Sequence, residues 1–360
     1  MGRSDINLES PPEGTPPVSA TRDAAPHQDW RRVALGLIIS LLALAAVLYF
    51  ADFRRMLQAL RLANYSLVFL GLLISLSWLV VRASVLRTLL QDKPPYKMVF
   101  LTLNETYLIN NLLPLRLGEI AGAFLLGRKA SLAFWQVISS ILIMRAMDVA
   151  MAVGLVLVSL PFVVGGSWAQ EAAIGAGLLV LAVFFVLFLL ARFREQVLAI
   201  FMRMGERWPV LLRLGGNALP AFFNGLTVLT DARVFLRASG WMLLNWGIAI
   251  LQYYLMLSAF FPSPSLLWAV FTLGVSALGV AAPSSPGAVG VMELTIVGSL
   301  SVFGLDPSTA LAYAFTLHII QYLTTGVIGG YALFRDGESL AGMYSRLRNM
   351  KAGDSEHLAS

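Results

Sequence analysis

Long uncharged runs dominate the chain, and their lengths predict its elements. A hydrocarbon layer about 30 Å thick requires a helix of roughly 18 or more apolar residues. Val33–Phe50, Tyr65–Val81, Ala133–Val164, Ala172–Ala191, Ala238–Phe261 and Ser308–Phe334 meet or approach that length, the third being interrupted by Arg145 and Asp148. Each is expected to cross a membrane once. Two further apolar segments are broken near their middles. Met98–Gly127 breaks at Asn110-Asn111-Leu112-Leu113-Pro114, and Leu266–Phe303 breaks at Pro283-Ser284-Ser285-Pro286-Gly287. A proline or glycine break inside such a run predicts two half-helices folded back as a re-entrant hairpin.

Lys and Arg near the span ends set the orientation, because cytoplasmic loops carry their excess. The stretch Arg192–Arg237 contains seven arginines, whereas the loops around Gly165, Pro262 and Asp306 contain no Lys or Arg. With the basic stretch inside, Arg31-Arg32, the segment Arg82–Lys97, Arg128-Lys129 and the C-terminal tail fall inside as well. Asp52–Asn64, with Arg54, Arg55 and Arg61, then lies outside, and reads as an amphipathic helix in the outer interface whose arginines snorkel to headgroups. The first broken segment must enter and leave from the inside, the second from the outside. Span, span, hairpin, span thus occurs twice with reversed direction. The expected fold is all-α, a multi-pass transmembrane helical bundle of two inverted-topology repeats, each with a broken re-entrant helical hairpin.

Residues 1–29, with five prolines among mixed charges, are expected to form a disordered cytoplasmic tail, and residues 336–360 a second one. The first apolar run starts too late, and lacks a small-x-small cleavage site, for a secretory signal. The membrane domain spans 30–335, with repeat one at about 33–164 and repeat two at about 172–334.

The repeats also match in their polar residues. Pro114-x-Arg116-x-Gly118-Glu119 in the first faces Pro286-Gly287-x-x-Gly290-x-x-Glu293 in the second: a proline break, glycines, then a glutamate. Arg145 and Asp148 follow Glu119 at nearly the offset at which His318 and Gln321 follow Glu293, with the same three-residue step.

Composition narrows the chemistry. The chain is 58% apolar and only 13% charged, against roughly 25% charged in soluble domains. Its net charge of +6 is scattered among loops, so nucleic acid is not an expected partner. With no cysteine and only His27, His318 and His357, disulfides, thiolate metal sites and clustered histidine ligands are excluded, and no metal or cofactor is expected. Neither a phosphate-binding G-x-x-x-x-G-K-[ST] loop nor the usual hydrolase signatures are present, so the chain is not expected to be an enzyme.

Non-helical backbone is tolerated at membrane depth only where it is buried in protein or lines a watery cavity. The two breaks therefore mark a cavity. Downstream half-helices from Leu115 and Ala288 would present free N–H groups to an anion such as a phosphate, with Asn110, Asn111, Ser284 and Ser285 as added donors. Arg116, Glu119, Arg145, Asp148 and Glu293 each cost about 2.5–3.5 kcal/mol at mid-bilayer if unpaired. Arg116 with Glu119 and Arg145 with Asp148 can pair locally, whereas Glu293 needs a partner from the other repeat, Arg145 or Arg116. His318 is a second-rank candidate. Trp78, Trp135, Trp168, Trp241, Trp246 and Trp268 read as an interfacial belt, and Gly118-x-x-x-Gly122 and Gly326-x-x-x-Gly330 as close helix contacts. The candidate substrate-binding residues are Asn110, Asn111, Pro114, Arg116, Glu119, Arg145, Asp148, Ser284, Ser285, Gly287, Gly290 and Glu293.

Asn110 through Glu119, then Arg145-x-x-Asp148, then Pro286-Gly287-Ala288-Val289-Gly290-Val291-x-Glu293 together resemble the lysylphosphatidylglycerol synthase transmembrane-region family, also called flippase-like domain proteins. The resemblance covers roughly residues 30–335. In two-domain relatives this region is associated with moving an aminoacylated phospholipid between leaflets, while a separate soluble domain makes that lipid. The soluble domain is not expected here, so the resemblance implies translocation or lipid handling and argues against aminoacyl transfer. Ala288 stands where the family's second motif more usually has a second glycine. The expected function is a lipid flippase or scramblase of the cytoplasmic membrane, with both termini cytoplasmic. Its substrate would be an anionic phospholipid or polyprenyl phosphate, held by Arg116 or Arg145, while Glu119 and Glu293 gate or read the headgroup. The alternatives are an accessory protein presenting a lipid carrier to a lipid-modifying enzyme or glycosyltransferase, and an intramembrane enzyme with Glu119 or Glu293 as base. Homo-oligomerisation is compatible with either.

Overall fold

The structure is a computed structural model that describes residues 38, 40–46, 49, 51–113, 117–164, 167–207, 218–281 and 285–337. Among them there is no strand. Residues 40–46 are helical, followed by α1 (Phe53–Leu62), α2 (Tyr65–Leu89), α3 (Tyr96–Leu112), α4 (Leu117–Ala130), α5 (Phe134–Val164) and α6 (Ser167–Arg192). Then come α7 (Arg194–Arg207), α8 (Ala218–Leu226), α9 (Ala232–Phe260), α10 (Leu266–Ala281), α11 (Val291–Ser301) and α12 (Pro307–Arg335). Short polar residues start several of these helices by accepting otherwise orphaned amide protons. Asp52 caps α1, Asn64 caps α2 and Asp231 caps α9, while Asp306 caps α12 ahead of Pro307 in the first turn, where a missing N–H costs nothing.

Four helices of the described part are long and apolar enough to cross a bilayer: α2, α5, α9 and α12. The distribution of exposed side chains on α12 agrees with lipid on one side. Phe315, Ile319, Leu323, Val327 and Tyr331 are all exposed. Their four-residue spacing makes one continuous apolar stripe. The other face, with Ala314, Leu317, His318, Thr324 and Thr325, is buried in the bundle. A stripe of that length facing water would be unfavourable, so this is a membrane protein.

The span boundaries differ from the charge-free runs in an informative way. Helix α2 runs on past Val81 to Leu89, and α9 begins at Ala232, six residues before the apolar run. Arg82 continues the helix because it is paired inside the bundle, so a charge does not end the element. Half of the expected first span, Val33–Phe50, lies outside the described residues.

The two broken segments each give a pair of short helices. Helices α3 and α4 pack on each other, as do α10 and α11, and none reaches the about 20 residues that a span requires. The second half-helix of the later pair starts at Val291 rather than Ala288. Pro286–Ala288 forms a 3-10 turn in which Gly287 has φ of 63° and Ala288 of 59°, and Gly290, at φ 86°, is the cap of α11. Contacts between the halves are reciprocal: α5 packs on α10, α12 packs on α3, and α2 and α9 pack on each other.

Close packing uses different glycines from those expected in one case. Gly118 and Gly122 do meet Thr106 of α3, but Gly326 and Gly330 face open space, and Gly329 is the residue that lets α12 approach Asn104 and Leu108. At the end of α4, Lys129 bonds Thr102 at 3.2 Å, Glu105 at 2.8 Å and also Asp336, stitching both arms of the first pair to the end of α12.

Candidate functional site

Between the halves lies a cavity of about 480 Å³. Its walls come from α2, α3, α5, α9, α10, α12 and the turn before α11. One side is charged. Arg82, only 2% exposed, donates Nη1–H to Asp148 Oδ1 at 2.7 Å and Nη2–H to Asp148 Oδ2, a bidentate pair. Its Nε–H reaches the Tyr107 hydroxyl at 3.2 Å, and its guanidinium sits 5.7 Å from the centre of the Trp78 ring. Trp246 Nε1–H donates to Asp148 Oδ1 at 3.3 Å, and Asn245 donates to the Trp78 carbonyl at 3.0 Å while its own oxygen faces Arg82. A buried charge held this way has its solvation replaced by fixed partners.

Arg145 is placed differently. Its Nη2 lies 2.7 Å from Glu119 and its Nη1 3.6 Å from Asp148, its side chain is 29% exposed, and it lines the cavity. Its buried Nε–H has no acceptor among the described residues. Among the described residues the two arginines and two carboxylates of this cluster cancel in charge, and Arg145 is the one of the two arginines whose side chain is partly exposed.

The rest of the lining is uncharged. It presents Gln252, Gln321, Thr324, Thr325, Ser285 and Gly287 among apolar side chains. Asn111 donates to Thr325 Oγ1 at 2.9 Å, tying the end of α3 to α12, and Asn110 accepts from the Gly118 N–H at 2.8 Å, bridging the break ahead of α4. Ser285 donates its N–H to Ser40 at 3.0 Å and its hydroxyl to the Val289 carbonyl at 3.1 Å.

Of the residues singled out from sequence, Asn110, Asn111, Arg145, Asp148, Ser285 and Gly287 line this one cavity, with Glu119 bonded to Arg145 beside it. Pro114, Arg116 and Ser284 lie outside the described residues. Glu293 and Gly290 sit behind the turn. The arginine partner expected for Glu293 is corrected: its Oε1 meets His318 Nδ1 and its Oε2 accepts from the Gly290 N–H at 2.7 Å. Asp148, expected to pair with Arg145, has Arg82 as its principal partner. Two helices brought side by side offered a closer fit than the neighbour on its own helix.

Sequence reasoning missed Arg82, Tyr107 and Asn245, and assigned Trp78 and Trp246 to the interfacial belt. The structure puts all five on the cavity wall. A signal existed for Asn245, an amide in the middle of an apolar run. Arg82 gave none, because it abuts a basic loop and reads as its first residue.

At the helix ends, the Asp336 carboxyl is subject to opposing influences. Burial pushes it up, and the bonds and charges of Lys129 and Arg335 outweigh this and hold it below the ordinary carboxylate range.

No curated protein and no solved structure matches the chain. Residues 33–329 match the family described as lysylphosphatidylglycerol synthase TM region, which takes in the breaks, the cavity and every helix that walls it. By that match, over most of its length, the chain belongs to the lysylphosphatidylglycerol synthase TM region family.

Proposed function

We propose that this protein is a flippase or scramblase that passes a phosphate-bearing lipid between leaflets of the cytoplasmic membrane. The observation that carries this reading is the cavity itself, lined by the partly exposed Arg145 within a charge-balanced cluster and elsewhere by uncharged polar residues among apolar ones. A headgroup can enter such a site at less cost than hydrocarbon imposes, with its phosphate on Arg145 and its tails left in lipid. The reciprocal packing of α5 on α10 and α12 on α3 supports two inverted repeats, and the short paired helices support re-entrant hairpins. The orientation with both termini cytoplasmic follows from the basic loops. Catalysis plays no part in this reading, and a lipid-modifying enzyme or glycosyltransferase is a natural partner downstream.

The test is reconstitution of the purified chain in vesicles carrying fluorescent phospholipid analogues, with mass spectrometry of the lipids it retains in mild detergent. Faster loss of inner-leaflet protection, abolished by Arg145→Ala, is the expected result. Lipid retention without movement would select a presenting role instead. A retained-lipid profile equal to bulk membrane in both proteins would overturn a selective site.

A further inference from the structure

Behind the cavity wall one imidazole joins two acceptors. His318 Nε2 lies 3.0 Å from the carbonyl oxygen of Gly287, in the turn that lines the cavity. Its Nδ1 faces Glu293 Oε1, whose carboxylate also holds the Gly290 N–H. Both residues are 4% exposed, and Tyr322 stacks on the ring with centroids 4.7 Å apart. The turn itself is stitched to residues 40–46 through Ser40.

Proton accounting constrains this arrangement. A carbonyl oxygen only accepts, so Nε2 must carry a proton to bond Gly287. A carboxylate also only accepts, so a second proton must lie between Nδ1 and Oε1, on one atom or the other. Take one proton away to water, and the ring keeps a single N–H. If it stays on Nε2, a bare Nδ1 lone pair faces the carboxylate; if it moves to Nδ1, a bare Nε2 faces the Gly287 carbonyl. One of the two contacts must then break. The matching position in the first half is Glu119 with Arg145, whose guanidinium does not deprotonate. An imidazole set between two acceptors belongs to the second half.

We propose that Glu293 and His318 form a proton-binding site that latches the 286–290 turn onto the cavity wall when loaded and frees it when one proton leaves, making lipid passage proton-linked. The latch stands on the hydrogen bonds; its link to transport rests on the flippase reading. Little else nearby titrates. Residues 40–46, the turn and α10 contain no ionisable side chain, and α11 has only Glu293. Helix α12 adds Tyr322 on the ring, and Tyr313, which faces Tyr253 of α9. From α2 and α3, Arg82 and Glu105 are engaged by Asp148 and Lys129.

The natural absence of cysteine makes the test direct. Ser285→Cys places one thiol on the turn, and Gln252→Cys places one on the cavity wall of α9 as a reference. Maleimide labelling rates of the two variants of the whole chain are measured in detergent at a series of pH values from about 5 to about 9, bracketing neutrality. Their ratio removes the pH dependence that the two thiols share, and the same ratio measured with His318→Gln gives the remainder. The expected ratio rises by about tenfold with increasing pH, as the open fraction follows one titrating proton, and stays flat when His318→Gln or Glu293→Gln is added. A flat ratio with both residues intact overturns the latch, as does a pH dependence that survives His318→Gln. Lipid movement does not enter this readout, so failure of the flippase reading would show separately, in the vesicle assay.

Discussion

Glu119 on α4 and Arg145 on α5 meet at 2.7 Å, and at nearly the same step along the second half Glu293 on α11 meets His318 on α12. Each glutamate follows a helix break and bonds a basic residue of the next long helix. Placing a polar bond at that junction anchors a short helix, which has too little apolar surface of its own, to one long enough to span the bilayer. The two junctions differ in chemistry, with a guanidinium in one and an imidazole in the other.

The Arg82–Asp148 pair is the larger stake in stability. Arg82→Met leaves Asp148 without its bidentate partner in a buried site, and is expected to cost about 3–5 kcal/mol. Adding Asp148→Leu should recover much of that loss, since two apolar side chains of similar volume no longer need solvation. Thermal unfolding in detergent, followed by tryptophan fluorescence, checks this. A single Arg82→Met as stable as the parent would contradict it.

Arg145 should separate from Arg82 in the same assay. Its side chain is partly exposed to the cavity and Asp148 keeps Arg82 without it, so Arg145→Gln should unfold nearer to the parent temperature than Arg82→Met. Losing one charge-assisted bond to a phosphate should weaken lipid retention by about tenfold or more. Quantitative lipid mass spectrometry on the two variants gives the comparison.

Acid should act on the Lys129–Asp336 junction. A carboxyl held below its unfolded value of about 3.9 contributes stability that is present above that pH and lost as pH falls through the folded value. Asp336→Asn should therefore lower the unfolding temperature at neutral pH and make the decline toward about pH 3 shallower. Equal acid profiles for the two proteins would rule out the contribution.

Gly287 and Gly290 should not tolerate a side chain equally. Both have positive φ, 63° and 86°, a strain of about 1–3 kcal/mol for a residue with a Cβ. A Cβ at Gly287 would press on the Tyr322 hydroxyl, which can move, but at Gly290 it would press on the backbone carbonyl of Ser40, which cannot easily do so. Gly290→Ala is expected to destabilise more than Gly287→Ala, measured by the same unfolding transition.

Much of the architecture was legible because it follows from local rules. Uncharged length marks α2, α5, α9 and α12, and Pro286-Gly287 marks a break. The half-helix start was misplaced by three residues because Ala288 adopts a positive φ, which nothing in an alanine announces. Gly329 rather than Gly326 or Gly330 packs against α3, since which glycine faces a neighbour depends on how the helix is rotated within the bundle.

The sequence by itself determined that this is an all-helical membrane protein with two broken segments and charged residues that must find partners, because hydrocarbon penalises each exposed amide and each unpaired charge wherever it falls along the chain. Which charges pair was decided only in three dimensions. Arg82 and Asp148 are 66 residues apart, and Glu293 and His318 belong to different helices, so no spacing rule reaches them. Packing α2 against α5 and α11 against α12 sets those distances, and with them the division between an arginine-carboxylate cluster in one half and an imidazole-carboxylate pair in the other.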